Sequence, residues 1–294
     1  MIQFFVTVLA SILITPAPSR AQVLFEGYYR IENKGQHIGY LIQRHSIDKK
    51  GNKSVTAYIR MRDEAGTPDS EVFESYQSVA KAGSGSPVWS RFESTRTGER
   101  DLLKTEFDKK GFAQITEVQE TGGKSESRKD ISVGAPFLSG MLLLVTDFAK
   151  LQENKIYQYD TYVEERGHVS EGHVFYAGKK SVSGITIAHV ADNLMGQTVE
   201  LFTTPAGESL GSRSWNGEGV TYWVAKREDA IGSFKFPTAE LTQTFGDLPE
   251  GKKNPWSKSG INAAAVIKTF TRPTIPGSPS NPKIKPLTLP RRKL

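Results

Sequence analysis

The residues able to do chemistry are few in kind. The chain has five histidines, His37, His45, His168, His173 and His189, and no cysteine. Without cysteine there is no disulfide scaffold, no thiolate metal site and no thiol nucleophile. The densest cluster of metal-binding types is "ERGHVSEGHVFY", which holds His168, Glu171 and His173. On a strand, positions five apart point to opposite faces, so the two imidazoles would share a metal only across a turn at Gly167 or Gly172. Exposed hairpin histidines are the expectation, and neither a metal nor another cofactor is anticipated. Glu164 and Glu165 likewise fall on opposite faces and are expected to be solvated. The serines of "FLSGM" and "GSGSP" lack the strained strand-to-helix elbow a nucleophile needs. There is no P-loop and no dinucleotide fingerprint. The expectation is therefore a protein that is not an enzyme.

Aromatic side chains are the remaining candidates. Trp89, Phe92, Tyr157, Tyr159, Trp215, Tyr222 and Trp223 all fall in strand-like stretches. Aromatics fill β cores and cross-strand pairs on general grounds. A groove for an acyl chain or glycan would draw on the same residues, and Trp89, Tyr159, Trp215 and Trp223 are the candidate ligand-binding set. Tyr222 and Trp223 must face opposite sides of their strand, so one of them needs a second cover.

The elements that must position these groups are mostly strands. "FEGYYRI" and "HIGYLIQRHSI" alternate, and "ENKGQ" between them forms a tight turn. The runs "SVTAYIRMR", "EVFESYQSV", "VWSRFEST", "LLKTEFD" and "FAQITEVQE" follow, joined by turn-rich "AGSGSP", "RTGER" and "DKKG". This predicts an antiparallel meander with no βαβ unit. A second set, from "IYQYDTYVEE" to "GVTYWVAKR", repeats the style but not the residues.

Between the two sets lies "PFLSGMLLLVTDFAKL". Leu138, Met141, Leu142, Val145 and Phe148 carry helical spacing, which predicts a helix over 136–151. The segment is too short to span a bilayer. A sheet must bury one face, and one apolar helix on the concave side of a curved sheet would cover it. Five such side chains would contribute roughly 1.5–3 kcal/mol each on burial.

At 37% hydrophobic and 24% charged residues, the 294-residue chain is too polar for a multi-span membrane protein. Residues 1–21 read as a secretory signal. The apolar run "FFVTVLASILI" is broken by Pro16 and Pro18, and Ser19-Arg20-Ala21 offers a small-residue cleavage site before Gln22. The leading "MIQ" carries none of the usual basic residues. The formal charge of +6 sits at the other end, on Arg272, Lys283, Lys285, Arg291, Arg292 and Lys293. Without those six and Arg20, residues 22–270 have a net charge near −1, so the body has no basic stripe for nucleic acid. Periodicity fades over 236–270, which is expected to be an irregular extension. Residues 271–294 contain six prolines and are expected to be a disordered basic tail. That tail would either solubilise the chain or touch an anionic lipid surface as a peripheral membrane contact.

"GYYRIENKGQHIGY", "PFLSGMLLLVTDFAKLQENKIYQYDTYV" and "ELFTTPAGESLGSRSWNGEGVTYWVAKREDAI" together resemble the β-rich module ahead of the catalytic domain in bacterial secreted transglutaminase-like proteins. They are also similar in pattern to the half-barrels of the LolA/LolB lipoprotein-carrier type and to DUF3108-like envelope proteins. The resemblance spans roughly residues 25–231. It implies the β module alone, since the Cys-His-Asp arrangement of a transglutaminase is not possible here.

The expected fold is mainly β: a curved antiparallel sheet or half-barrel over residues 22–235, with sub-sheets 22–135 and 155–235 joined by the central helix. The expected function is that of a periplasmic or secreted, non-catalytic envelope protein binding a protein partner or an apolar ligand. The alternatives are a LolA-like carrier of lipid or lipoprotein acyl chains and a hydrolase of envelope polymers.

Overall fold

A computed structural model describes residues 21–62, 71–96, 99–119, 124–131, 136–251, 253–275 and 286–294. The proposed leader lies outside the described residues apart from Ala21. The first meander runs through β1 (Gln22–Asn33), β2 (Gln36–Ile47), β3 (Lys53–Arg62), β4 (Glu71–Ala80), β5 (Pro87–Arg96), β6 (Glu99–Phe107), β7 (Phe112–Gln119) and β8 (Lys124–Asp130). After the two-residue β9 (Phe137–Leu138), the second meander runs through β10 (Lys155–Val163), β11 (His168–Val182), β12 (Ile185–Leu194), β13 (Gln197–Thr203), β14 (Ser209–Ser214) and β15 (Gly219–Val224). A last strand, β16 (Leu287–Thr288), lies near the C-terminus.

Both meanders form one large, open, curved sheet, because β15 pairs antiparallel with β1 in a register that sets Trp223 opposite Tyr29. Its two ends approach each other. The Tyr162 hydroxyl on β10 lies 2.9 Å from Thr105 Oγ1 on β6, and Lys129 Nζ on β8 donates to the Gly167 carbonyl at 2.9 Å. The curl creates a concave side, and the apolar segment fills it.

That segment is buried at the positions chosen from its spacing: Leu138, Met141, Leu142, Val145 and Phe148 are all in the core. The continuous helix expected over 136–151 is corrected. The chain forms β9, a 3-10 turn at Ser139–Met141, one helical turn α1 (Leu142–Val145) and a second 3-10 turn at Phe148–Lys150. The reason is competition for backbone groups. Phe137 and Leu138 pair in parallel with Thr161 and Tyr162 of β10. The Ser139 and Gly140 amides donate to the Glu164 carboxylate at 3.0 and 3.1 Å. A Cβ at Gly140 would come within 2.9 Å of the Tyr76 ring, so only glycine allows this approach to the wall. Thr146 turns extended and forms a bridge with Arg291.

The convex side is covered by residues 225–251 and 253–270. Helices α2 (Arg227–Ile231) and α3 (Thr238–Phe245) pack over Tyr28, Tyr40, Ile42 and Tyr58. Helix α4 (Ala263–Lys268), with Trp256, Ile261 and Phe270, packs on Ile187 and Phe202. The stretch expected to be irregular thus contains two short helices. The Asn262 side chain caps α4 by accepting from the Ala265 amide at 3.1 Å. Short amphipathic pieces of this kind leave no long period in the sequence.

The tail is corrected in part. Residues 276–285 lie outside the described set, but 271–275 and 286–294 are placed on the fold. Strand β16 pairs in parallel with Tyr157 and Gln158 of β10, and Leu289 is buried. The Arg292 guanidinium donates to the Thr146 carbonyl at 2.8 Å and to the Pro205 and Ala206 carbonyls at 2.5 and 2.9 Å. The Arg291 guanidinium lies 5.0 Å from the Phe137 ring centre. One of the basic residues that marked the tail as solvated, Arg292, is thus spent on carbonyls of the apolar segment, hereafter the plug, and of the loop beside it.

Candidate functional site

Of the concavities among the described residues, two lie on opposite faces of the sheet between it and a covering segment. The outer one is a groove of about 450 Å³ between α3 and the convex face of β3, β4 and β5. Alternation puts Arg60, Phe73, Gln77, Arg91 and Glu93 on its floor, and Glu240 and Gln243 of α3 form the opposite wall. Arg60 pairs with Glu71 at 2.5 Å and Arg91 with Glu93 at 2.6 Å. The Tyr58 hydroxyl donates to Glu240 at 3.0 Å, and Gln77 Nε2 donates to the Thr244 carbonyl. These bonds hold α3 a fixed distance above the sheet and leave charged edges facing the gap.

The inner concavity is smaller, about 220 Å³, and lies between the plug and the concave wall. Leu142, Leu143 and Leu144 form one side. The wall supplies Tyr29 from β1, Gln43 and His45 from β2, Tyr76 from β4 and Asp192 from β12. Burial pushes His45 down to about 3, with the Lys53 charge adding to the effect, so its ring is neutral at physiological pH. It packs on Phe25 at 4.9 Å between ring centres. Asp192 accepts a 2.6 Å hydrogen bond from the Tyr159 hydroxyl. Burial pushes the Asp192 carboxyl up to about 6, and the Tyr159 bond only partly offsets this.

Two further buried carboxylates are structural. Glu164, expected to be solvated, is 3% exposed and anchors the plug. Besides the Ser139 and Gly140 amides it accepts from the hydroxyls of Ser139 and of Ser78, the latter at 2.5 Å. Burial pushes Glu164 above the usual carboxylate range. Glu200, on the convex face, is enclosed by His189 at 2.9 Å, by Arg213 at 2.6 and 2.7 Å, and by Arg272 at 3.3 Å. Burial alone would raise it, but the hydrogen bonds from His189 and Arg213 and the Arg213 charge hold it down to about 2. The cluster fastens the end of the convex wrap, since Arg213 also donates to the Phe270 carbonyl at 3.2 Å.

The four aromatic candidates do not converge. Trp89 is 36% exposed on β5, opposite Glu106. Tyr159 is buried and spends its hydroxyl on Asp192. Trp215 lies just beyond β14, with the Arg272 guanidinium 5.3 Å from its ring centre. Trp223 is buried, in one cluster with Phe25, Tyr29 and Trp256, which answers the need for a cover on the Tyr222-Trp223 pair. Its neighbour Tyr222 donates to Glu32 at 2.8 Å. His168 and His173 lie five apart on β11, and only His173 approaches Glu171, at 3.4 Å. Among the described residues no three His, Asp or Glu side chains are grouped to hold a metal ion.

Sequence reasoning missed Asp192, Gln43 and His45. A signal was there: Ala188, Val190 and Asp192 alternate on one strand face, as do Leu41, Gln43 and His45. A polar residue in phase with an apolar alternation points into the core, and a buried polar group needs a partner.

No family model matches, and no curated protein matches. One solved structure, a β-barrel-like protein of a domain of unknown function, DUF1849, from Brucella abortus, is similar at 9% identity. Its TM-score is 0.49, over 69% of this chain and 97% of the other. Among the described residues no helix is long and apolar enough to cross a membrane.

Proposed function

We propose that this is an exported, non-catalytic envelope protein that holds a protein partner in the outer groove between α3 and β3–β5. The supporting observation is the groove's volume, about 450 Å³, combined with its mixed lining. Arg60 and Arg91 present guanidinium edges beside carboxylates, and Gln243 is exposed on the opposite wall. Such a lining suits an extended polar segment, whose backbone amides and charged side chains can exchange hydrogen bonds with both walls. Export rests on the leader pattern before Gln22. A periplasmic extract probed with the full chain carrying a photoreactive side chain at position 243 tests the reading. A discrete cross-linked protein, lost when Arg91→Glu is introduced on the floor facing that probe, is the expected result. No cross-link, with the chain recovered in the periplasm and starting at Gln22, would remove the groove but leave export standing.

The second reading is the acyl-chain carrier. It is supported by the plug, which puts a continuous row of aliphatic side chains where a lipid tail would lie. The free volume there, about 220 Å³, is below the ~300–1,000 Å³ usual for ligand pockets, so the plug would have to leave. Lipid co-purifying with the full chain at one mole per mole would favour this reading. Lipid contact through the tail would fall to Lys283, Lys285 and Lys293, because Arg272, Arg291 and Arg292 are engaged on the fold.

A further inference from the structure

Asp192 is a half-buried carboxylate on the concave face, and unlike Glu164, whose oxygens are filled by amides and hydroxyls, it has few partners. Among the described residues its one hydrogen bond comes from Tyr159, and no Lys, Arg or His pairs with it. A carboxylate has about four acceptor positions, so most of its capacity is unused. A carboxylate drawn out of water loses several kcal/mol of solvation, which a counter-charge or a full set of hydrogen bonds restores. The same structure shows the ordinary solution twice. Glu200 is wrapped by two arginines and a histidine, and Glu26 receives Arg44 at 2.5 Å. Asp192 alone among these faces a cavity instead of a cation.

The cavity's shape and lining say what could sit there. The aromatic side chains of Tyr29 and Tyr76 line it, and aromatic faces attract organic cations. Gln43, Ser212 and Thr221 add neutral polar atoms and are only half-buried, so the space can be reached from solvent. No second carboxylate lines it, and the described residues hold no group of three metal-binding side chains. That combination suits a monovalent organic cation better than a divalent metal. The volume, about 220 Å³, exceeds the roughly 150 Å³ that accommodates benzene, so a body of about six to ten heavy atoms fits. We propose that the cavity between the plug and the concave wall is a binding site for a small protonated amine, with Asp192 as its counter-ion. The site is independent of the outer groove, on the opposite face of the sheet.

The test uses the full chain and three probes of graded charge and size: n-butylammonium, its neutral isostere 1-butanol, and tetrabutylammonium. Binding is followed by calorimetry and by amide shifts of residues lining the cavity. n-Butylammonium is expected to saturate at pH 7.5 and shift Gln43, Leu143 and Asp192. Its affinity is expected to fall at least tenfold in Asp192→Asn, and to fall similarly in the unaltered chain at pH 4.5, where the carboxylate is protonated. Of the other groups near the site, His45 and the hydroxyls of Tyr29, Tyr76 and Tyr159 do not change charge between those pH values. Glu164, which is pushed upward behind Ser139 and Gly140, is controlled by repeating the pH comparison in Asp192→Asn, where the fall should vanish. 1-Butanol should bind more weakly than the amine, and tetrabutylammonium should be excluded by size. The proposal is overturned by equal affinity for alcohol and amine, by unchanged amine binding at pH 4.5, or by no saturable binding up to about 10 mM. The alcohol comparison needs no variant, so a failure of Asp192→Asn to fold leaves the test intact.

Discussion

Replacing Glu164 by alanine probes the joint between plug and wall. The side chain accepts four hydrogen bonds: from the Ser139 and Gly140 amides, and from the Ser139 and Ser78 hydroxyls. The hydroxyls can rotate to other acceptors, but the two amides are fixed by the turn that follows β9. A buried donor left without a partner costs about 1–3 kcal/mol, so the two amides together set a loss of about 2–6 kcal/mol. Removing a buried carboxylate relieves some desolvation, since burial already pushes Glu164 upward. The expected net loss is therefore about 3 kcal/mol, a large share of the ~5–15 kcal/mol that holds a domain together. Urea unfolding followed by circular dichroism should show a lower midpoint at unchanged slope. Hydrogen exchange should speed up at the Ser139 and Gly140 amides more than at the centre of β11. Glu165→Ala, one residue on and exposed, serves as the control and should change stability by less than about 0.5 kcal/mol. A Glu164→Ala loss no greater than the control's, or unchanged exchange at the two amides, would refute the anchoring role.

Asp192→Asn should stabilise the ligand-free protein at pH 7.5. The folded carboxyl titrates near 6 against an ordinary 3.8, so stability is fully present below about pH 4 and lost as pH rises through 6. At about 1.4 kcal/mol per unit, the variant should gain up to about 3 kcal/mol at pH 7.5 and nothing at pH 4, as read by urea titrations at the two pH values. Glu200 runs the other way. Its carboxyl is held near 2, so its contribution is present above about pH 4.5 and is lost as pH falls toward 2. Glu200→Gln should flatten that part of the acid-denaturation curve and cost about 3 kcal/mol at pH 7, by leaving Arg213 short of a partner. Leu289→Ala, at a buried position in the last strand region, should cost about 2–4 kcal/mol in thermal or urea unfolding. No loss would mean that the docked tail contributes nothing to the fold.

Much of the architecture was legible from alternation. Period-2 runs mark strands because successive side chains face opposite sides of a sheet, and the turns between them carry glycines with positive φ, such as Gly35 and Gly184. The burial of Leu138, Met141, Leu142, Val145 and Phe148 was legible for a similar reason, since an aliphatic block in a polar chain must be covered. Its form was not legible. Helical spacing and a broken chain of turns can bury the same residues, and the choice fell to partners distant in sequence, β10 and Glu164.

What the amino-acid sequence determined by itself was the class: mainly strands, joined by tight turns, with one apolar segment to cover and no thiol chemistry. These follow from local stereochemistry and composition, which need no knowledge of neighbours in space. Tertiary structure decided which member of each alternating pair faced inward, and so made Glu164 an anchor while Glu165 stayed in water. It also decided that Arg291 and Arg292 would bind the plug and its neighbouring loop, and that Asp192 would face a cavity without a cation. Those outcomes depend on contacts between residues far apart in the chain, where the burial of one group sets the electrostatics of another, and no local pattern records them.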